Sequence, residues 1–355
     1  MRPGRAGPLC VSPRDSGLDL SLESLAAPYA CGPVSRESSE TQRSLPRTLA
    51  KLALNHRGYR KAWPRERFFL GAKRHTPVVA VDTGGARYFV STSDEAVGLG
   101  LFAHGSHERE QLEAVSAALS IWGGTESPLA GRKIIDIGAN IGTSIIEAAV
   151  SFDCAGGWAL EPHPGNFKLL RHNLLENELD GRIEALELAV SDEDGSATLE
   201  VAKMNMGDHR VRVGAGAGSG FAGRPGSMAE ENRETIEVPM RSLDSLVADG
   251  TVSLADVALA WVDTQGHEGH VLAGASCLAE ARVPAYIEYW PYALERAGGL
   301  DRLNDIIQGT WGQAADIGFG REAAKRRDAG EIEAIAAGYD ASDPNSATNL
   351  LLLPS

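Results

Sequence analysis

One nine-residue stretch constrains the fold of this chain more than any other. Ile134-Ile135-Asp136-Ile137-Gly138-Ala139-Asn140-Ile141-Gly142 runs from an apolar strand, through a tight turn, directly into a helix. Gly138 and Gly142 let the backbone bend and approach a ligand closely, and Asn140 tolerates a left-handed conformation better than most residues. The segments that follow alternate. Ile141, Ile145, Ala148, Ala149 and Phe152 mark one helix face; Trp158-Ala159-Leu160 reads as a second strand; Phe167, Leu170 and Leu174 mark a second helix; Ile183–Leu188 gives a third strand. Val257–Val262 is a fourth strand, followed by a helix through Val271, Leu272 and Leu278, and Ala285-Tyr286-Ile287 is a fifth. Helices around Leu303–Ile307 and Glu322–Ala337 and the run Leu350–Leu353 close the pattern. Such alternation predicts an α/β fold with a mostly parallel sheet covered on both faces. Its ligands sit at the carboxyl ends of the strands, near the switch point.

Two extra strands interrupt this order, at Ala197–Val201 and Ile236–Met240, with the long glycine-rich loop Lys203–Thr235 between them. Loops of that length inside a compact domain are usually lids, binding loops or disordered. The loop holds a G-x-G-x-x-G match, Gly218–Gly223, but no strand precedes it and no helix follows, so it is read as flexible loop. Upstream, Val78–Val81, the turn Asp82-Thr83-Gly84-Gly85 and Ala86–Val90 form a hairpin. Leu112, Val115, Leu119 and Trp122 are spaced as a helix. Residues 45–75 are basic with interleaved aromatics, either a helical lead-in or an interaction segment. Residues 1–43, rich in Pro, Gly, Ser and Arg, are expected to be disordered. The expected organisation is therefore a basic leader over 1–43, an N-terminal extension over 44–122 and a core over 123–355.

The net charge of -14 is unevenly spread. Residues 1–75 carry 14 Lys/Arg against 6 Asp/Glu, leaving 20 against 42 for the rest. A strongly acidic body disfavours nucleic acid as the main partner. No apolar run is long enough to span a membrane, and the N-terminus lacks a secretory apolar region. Cys10, Cys31, Cys154 and Cys277 lie far apart with no C-x-x-C pair. That argues against a disulfide framework or cysteine zinc site and for a reducing compartment, so a cytoplasmic location is expected.

The glycine turn is not a dinucleotide fingerprint, which would require Gly at 140 and 143, where Asn140 and Thr143 stand. Asp136 at the strand end would repel a pyrophosphate and favour a cation. S-adenosylmethionine (SAM) carries a sulfonium and an ammonium, and no phosphate. Glu161 closes the second strand 25 residues later, about where an open α/β fold places the carboxylate that takes both ribose hydroxyls. Cofactor-binding candidates are therefore Asp136, Gly138, Asn140, Gly142, Glu161 and Asp263.

Together these segments resemble the FkbM family of SAM-dependent methyltransferases. Ile134–Gly142 is similar to the family's D-x-G-A-N-x-G, and Glu161-Pro162-His163-Pro164 to its E-P-x-P, followed by Asn166-Phe167 and Asn173. Leu186–Ser191 resembles its third strand end. Val238-Pro239 with Leu243-Asp244, and Asp263-Thr264-Gln265-Gly266-His267-Glu268 followed by Val271-Leu272 and Gly274-Ala275, are similar to its later blocks, and Gly105–Glu108 to an upstream G-x-x-E. The resemblance covers roughly residues 87–353. Trp261 stands where many relatives have Lys, and Gln265 where many have Glu; both departures bear on the acceptor. The resemblance implies a Rossmann-like, seven-stranded class I methyltransferase sheet with an antiparallel final strand. It implies SAM-dependent methylation, most readily of a hydroxyl on a small-molecule or sugar-like acceptor. The alternatives are a degenerate SAM-binding scaffold or regulator and, less readily, an NAD-dependent oxidoreductase.

Methyl transfer needs donor and acceptor held in line, and an alcohol needs its proton removed. Asp263 and His267 beyond the fourth strand are the catalytic candidates, His267 as a base titrating near neutral pH; the alternative is that His267 caps the next helix. Asp263, His267 and His270 are not spaced as H-E-x-x-H, and no metal is expected. Glu288 before Tyr289-Trp290-Pro291-Tyr292 either lines the acceptor pocket with those aromatics or belongs to a hydrophobic seam. Asp208 and His209 in the long loop are further acceptor-site candidates.

Overall fold

The computed structural model describes residues 56–212, 233–318 and 325–354. All belong to one contact unit, Asn55–Ser355. The expected leader 1–43 and the glycine motif 218–223 lie outside the described residues.

Strands β1 (Val78–Asp82) and β2 (Arg87–Ser91) form the upstream hairpin. The main sheet begins with β3 (Lys133–Ile137), β4 (Gly156–Leu160) and β5 (Ile183–Leu186). A smaller four-stranded sheet follows, from β6 (Ala189–Val190), β7 (Gly195–Val201), β8 (Arg210–Arg212) and β9 (Glu234–Arg241). The chain then returns to the main sheet with β10 (Val257–Val262), β11 (Ala285–Tyr289), β12 (Trp311–Asp316), β13 (Lys325–Asp328) and β14 (Thr348–Pro354). The main sheet is ordered β13-β12-β14-β11-β10-β3-β4-β5. β5, β4, β3, β10 and β11 are parallel neighbours. β14 pairs antiparallel with both β11 and β12. This is the seven-stranded arrangement with an antiparallel final strand, extended at one edge by β13. Strand order reverses between β3 and β10, so the crevice for a ligand opens at their carboxyl ends.

β10 shows why the sheet is buried. Val-Ala-Leu-Ala-Trp-Val is apolar at every position and buried at every position. Ala260 and Val262 pack with Val271, Leu272 and Leu303 on one face. Leu259 and Trp261 pack with Leu112 and Val115 of helix Arg109–Gly123 on the other. The upstream hairpin joins a third cluster, where Tyr88 and Val90 meet Ile145, Leu170 and Leu174. Asn173 stitches it in place: its Oδ1 accepts the Phe89 N–H (2.6 Å) and its Nδ2 donates to the Ile141 carbonyl (2.9 Å). The basic, aromatic segment is helical over His56–Ala72, with Phe69 buried and Phe68 stacked on Phe102 at 5.8 Å.

Two expectations change. β12, Trp-Gly-Gln-Ala-Ala-Asp, has no period-2 pattern, and sequence reading passes over it. The helix expected around Glu322–Ala337 gives way, from its first described residues, to β13, then a 3-10 turn Ala329–Glu331 and a short helix Ile332–Ala336. Local helix propensity favours Ala, Lys and Arg, but the unpaired edge of β12 offers a ladder that overrides it. Among the described residues, no helix is long and apolar enough to cross a membrane.

Candidate functional site

The turn after β3 is held by left-handed residues: Gly138 at φ +87°, Asn140 at +51° and Gly142 at +89°. Only one of the two glycines faces the crevice. A Cβ on Gly138 would lie 1.9 Å from the Asp263 carbonyl oxygen, so its close approach is to the end of β10. A Cβ on Gly142 would lie 2.8 Å from Leu170 Cδ1, so this residue packs under helix Pro164–Glu176. Asp136 is fully buried and turned away from the cleft, where the Ser144 hydroxyl donates to its Oδ2. Its other oxygen has no protein partner. Burial holds the Asp136 carboxyl well above the usual carboxylate range; the Ser144 bond opposes this and the nearby Glu108, Asp263 and Glu161 charges add to it.

The cleft itself lies over the ends of β3, β4 and β10. Its walls include Gly138, Asn140, Glu161, Asp263, His209 and His267. Both Glu161 oxygens accept backbone N–H bonds, Oε2 from Asn140 (2.9 Å) and Oε1 from His163 (2.8 Å). Burial raises its pKa to about 7 against those two bonds. Among the described residues lining the cleft there is no lysine or arginine. A wider groove of about 720 Å³ beside β5 contains none of the candidate residues.

Beyond β10 three carboxylates converge. One oxygen each from Asp263, Glu268 and Glu288 lie within 4.8 Å of one another, a set that could hold a metal ion. It differs from the Asp263–His267–His270 set considered from sequence. Gln265, at φ +56°, donates its Nε2 protons to Asp263 (2.6 Å) and Glu288 (3.0 Å). Glu268 accepts from the Thr264 N–H (2.8 Å) and the Gly266 N–H (3.0 Å), closing the loop. Burial raises Asp263 to about 6, with Glu108 adding and Gln265 opposing. It raises Glu268 to about 7 and Glu288 well above its usual range. Such crowded carboxylates do not all ionise together.

His267 departs from its sequence expectation. Its ring is buried, its Nε2 lies 2.9 Å from Ser191 Oγ, and its Nδ1 has no partner. It stacks on His270 at 4.6 Å. Burial, then the His270 charge, push its pKa down to about 3, so it does not titrate near neutral pH. The alternative of a capping role is also unmet, since its side chain makes no cap bond to the following helix.

The loop candidates separate. Asp208 is buried between Arg210 (2.6 Å) and Arg233 (2.5 Å) and faces neither the cleft nor solvent. His209 does reach the cleft wall, stacked on His163 at 4.0 Å, with burial and His163 lowering it to about 3. The segment carrying it is tied down from two sides: Asn166 Nδ2 donates to the Met206 carbonyl (2.8 Å) and the Glu95 N–H to that of Met204 (2.7 Å). Trp290 and Tyr292 cluster with Ala293, and Trp290 Nε1 donates to the Pro344 carbonyl (3.1 Å), so these aromatics form a seam.

Residues 136–289 match the family model of the methyltransferase FkbM domain. Over these residues the chain is similar to the FkbM methyltransferase domain. The domain's match begins at Asp136 and ends at the last residue of β11, so it spans every carboxylate of the site except Glu108. No curated protein matches the chain. Among solved structures, a putative O-methyltransferase from Klebsiella pneumoniae is 11% identical, with 69% of this chain and 80% of that one covered and a TM-score of 0.37. An O-methyltransferase from Bacillus cereus, in complex with SAH, is 12% identical over 70% and 82%, with a TM-score of 0.35. The METTL16 methyltransferase domain is 9% identical over 70% and 68%, with a TM-score of 0.38. These likenesses are too distant to assign residues.

Outside the FkbM domain match, Glu108 joins the site from the upstream extension. It sits at φ +64° before helix Arg109–Gly123, and its Oε2 accepts the Thr143 hydroxyl proton (2.6 Å). The G-x-x-E pattern marked it in sequence, but nothing local showed which carboxylates it would meet. Gln265 and Glu268 were likewise visible as part of a block, with no indication that they join Asp263 to Glu288.

Proposed function

We propose that this protein transfers a methyl group from SAM to a hydroxyl oxygen of a small-molecule acceptor. The observation that carries the reading is the charge of the cleft. Glu161 and Asp263 face it, no described lysine or arginine lines it, and its two histidines are neutral at physiological pH. A dinucleotide pyrophosphate would be repelled there, whereas a sulfonium and an ammonium are favoured. Glu161 is free to accept the two ribose hydroxyls with lone pairs its backbone bonds leave unused. When bound, SAM supplies a methyl group on a positively charged sulfur.

The protein's own part is binding, orientation and proton removal. The β3 turn and Glu161 fix the cofactor, and Asp263 takes the hydroxyl proton. Asp263 suits this better than His267: a carboxylate at about 6 is ionised at pH 7 yet more basic than an ordinary aspartate, while an imidazole at about 3 is a weak base. Gln265 and Glu288 orient Asp263. The cleft encloses only about 50 Å³, far below the roughly 300 Å³ of small ligand sites. Cofactor entry therefore widens the cleft.

The test has two readouts. Calorimetry should give SAM binding to the full chain, and a panel of hydroxylated small molecules should yield SAH release. Absence of SAM binding would overturn the reading. SAM binding without turnover on any acceptor would favour the scaffold alternative.

A further inference from the structure

Two imidazoles in the cleft wall carry buried polar atoms that the fold leaves unanswered. His267 is only 3% exposed, and its Nδ1 finds no partner among the described residues. Which nitrogen holds its proton follows from its neighbours. The single hydroxyl proton of Ser191 goes to Asp192 Oδ1 at 3.0 Å. The Asp192 carboxylate, bonded to Arg302 at 2.6 Å, is a stronger acceptor than an imidazole. His267 Nε2, 2.9 Å from Ser191 Oγ, is therefore the protonated nitrogen, which leaves Nδ1 as a bare acceptor. His209 is the complement. Its Nδ1 accepts the Ala202 N–H at 3.0 Å, so its Nε2 carries the proton, and this buried donor also finds no partner among the described residues. Leu160, Leu188, Val190, Leu199 and Val211 line the same cleft. Buried polar atoms are nearly always paired. An open acceptor and an open donor in a wall otherwise rich in apolar residues mark a place for a flat ring with polar edges.

We propose that His267 and His209 read the purine base of the cofactor: His267 Nδ1 accepts from the exocyclic amine of adenine, and His209 Nε2 donates to a ring nitrogen. The apolar residues cover the faces of the base, and Glu161 is left to the ribose hydroxyls. The assignment rests on the SAM-dependent reading, and it deepens that reading by naming the residues that select the base. A purine with a carbonyl in place of the amine is rejected, because it offers no proton and sets an oxygen lone pair against the bare Nδ1. Sites built to bond a ligand N–H discriminate strongly against the analogue that lacks it.

The test uses the full chain, with SAH and S-inosylhomocysteine, its carbonyl analogue, as probes and calorimetry as readout. The parent should bind SAH about tenfold or more tightly than S-inosylhomocysteine. H267L removes the acceptor, so SAH affinity should fall about tenfold and the preference between the probes should shrink to within about twofold. H267N, whose Oδ1 restores an acceptor near the Nδ1 position, should regain part of the preference. H209N keeps an oxygen for the Ala202 N–H and loses the Nε2 proton, and should weaken SAH by about three- to tenfold. If H267L does not fold, nitrogen NMR of the parent takes its place: the His267 Nδ1 resonance should move upfield with SAH and not with S-inosylhomocysteine. Equal binding of the two probes by the parent, an undiminished preference in folded H267L, or an unmoved Nδ1 resonance would overturn the proposal, and unchanged SAH affinity in H209N would overturn its His209 half. Binding of neither probe by the parent would overturn the SAM-dependent reading itself, and this assignment with it.

Discussion

The two halves of the strand-end crevice are built in different ways. On the β3–β4 side, one contiguous turn and one carboxylate suffice: Glu161 receives backbone N–H bonds from Asn140 and His163, and the turn geometry is fixed by left-handed residues. On the β10–β11 side, side chains hold side chains. Gln265 bonds both Asp263 and Glu288, Glu108 arrives from the upstream extension and Arg210 from strand β8 of the second sheet. Backbone donors survive any substitution except proline, and the left-handed turn restricts residue type, so the sequence of the first half is recognisable. The second half can change acceptor by changing side chains, as sites grafted on a common fold generally do.

The largest effect should come where the two halves touch. Gly138→Ala places a Cβ 1.9 Å from the Asp263 carbonyl at a left-handed φ. It should cost more than about 4 kcal/mol and lower the melting temperature by over about 8 °C, or prevent folding. Gly250→Ala, with φ +83° and open space around it, isolates the conformational strain and should cost only about 1–2 kcal/mol. Equal losses in both variants would show that the junction is not the tight point.

Next is the chemistry of the β10 side. Asp263→Asn keeps an oxygen for Gln265 and removes the proposed base, so turnover at saturating SAM should drop by about 10²- to 10⁴-fold. The parent rate should fall as pH drops through about 6, where Asp263 gains its proton. A rate that is flat there, with loss of activity in His267→Ala, would return the base to His267.

The β4 side should respond in binding instead. Glu161→Ala removes a charge-assisted acceptor for two hydroxyls and should weaken SAM by roughly 30- to 150-fold, or about 2–3 kcal/mol, by calorimetry. Equal SAM affinity in variant and parent would break the division between the halves.

The smallest effect concerns stability. The folded Asp263 carboxyl is raised above its unfolded value of 3.8 to about 6. It therefore favours the fold below about pH 4, and that contribution is lost as pH rises through about 6. At pH 8 its ionised form is a cost, so Asp263→Asn should raise stability by on the order of 1–2 kcal/mol, several degrees in melting temperature, while abolishing most turnover. A lower melting temperature at pH 8 would show that the charge is compensated in the folded protein.

Sequence alone determined the parts whose causes are local. The Ile134–Gly142 turn, Glu161 at the next strand end and the apolar run Val257–Val262 each announce their own structure, because strand burial and left-handed turns restrict residue type position by position. Tertiary structure decided the rest. β12 and β13 exist because an edge needs a partner, against their own weak or helical preference. His267 loses its basicity to burial against Ser191 and His270, a property its neighbours in sequence do not carry. The carboxylates of Glu108, Asp263, Glu268 and Glu288, up to 180 residues apart, are brought into one electrostatic group only by the order of the strands. Pairing, burial and charge coupling depend on distance in space, and a sequence records distance along the chain.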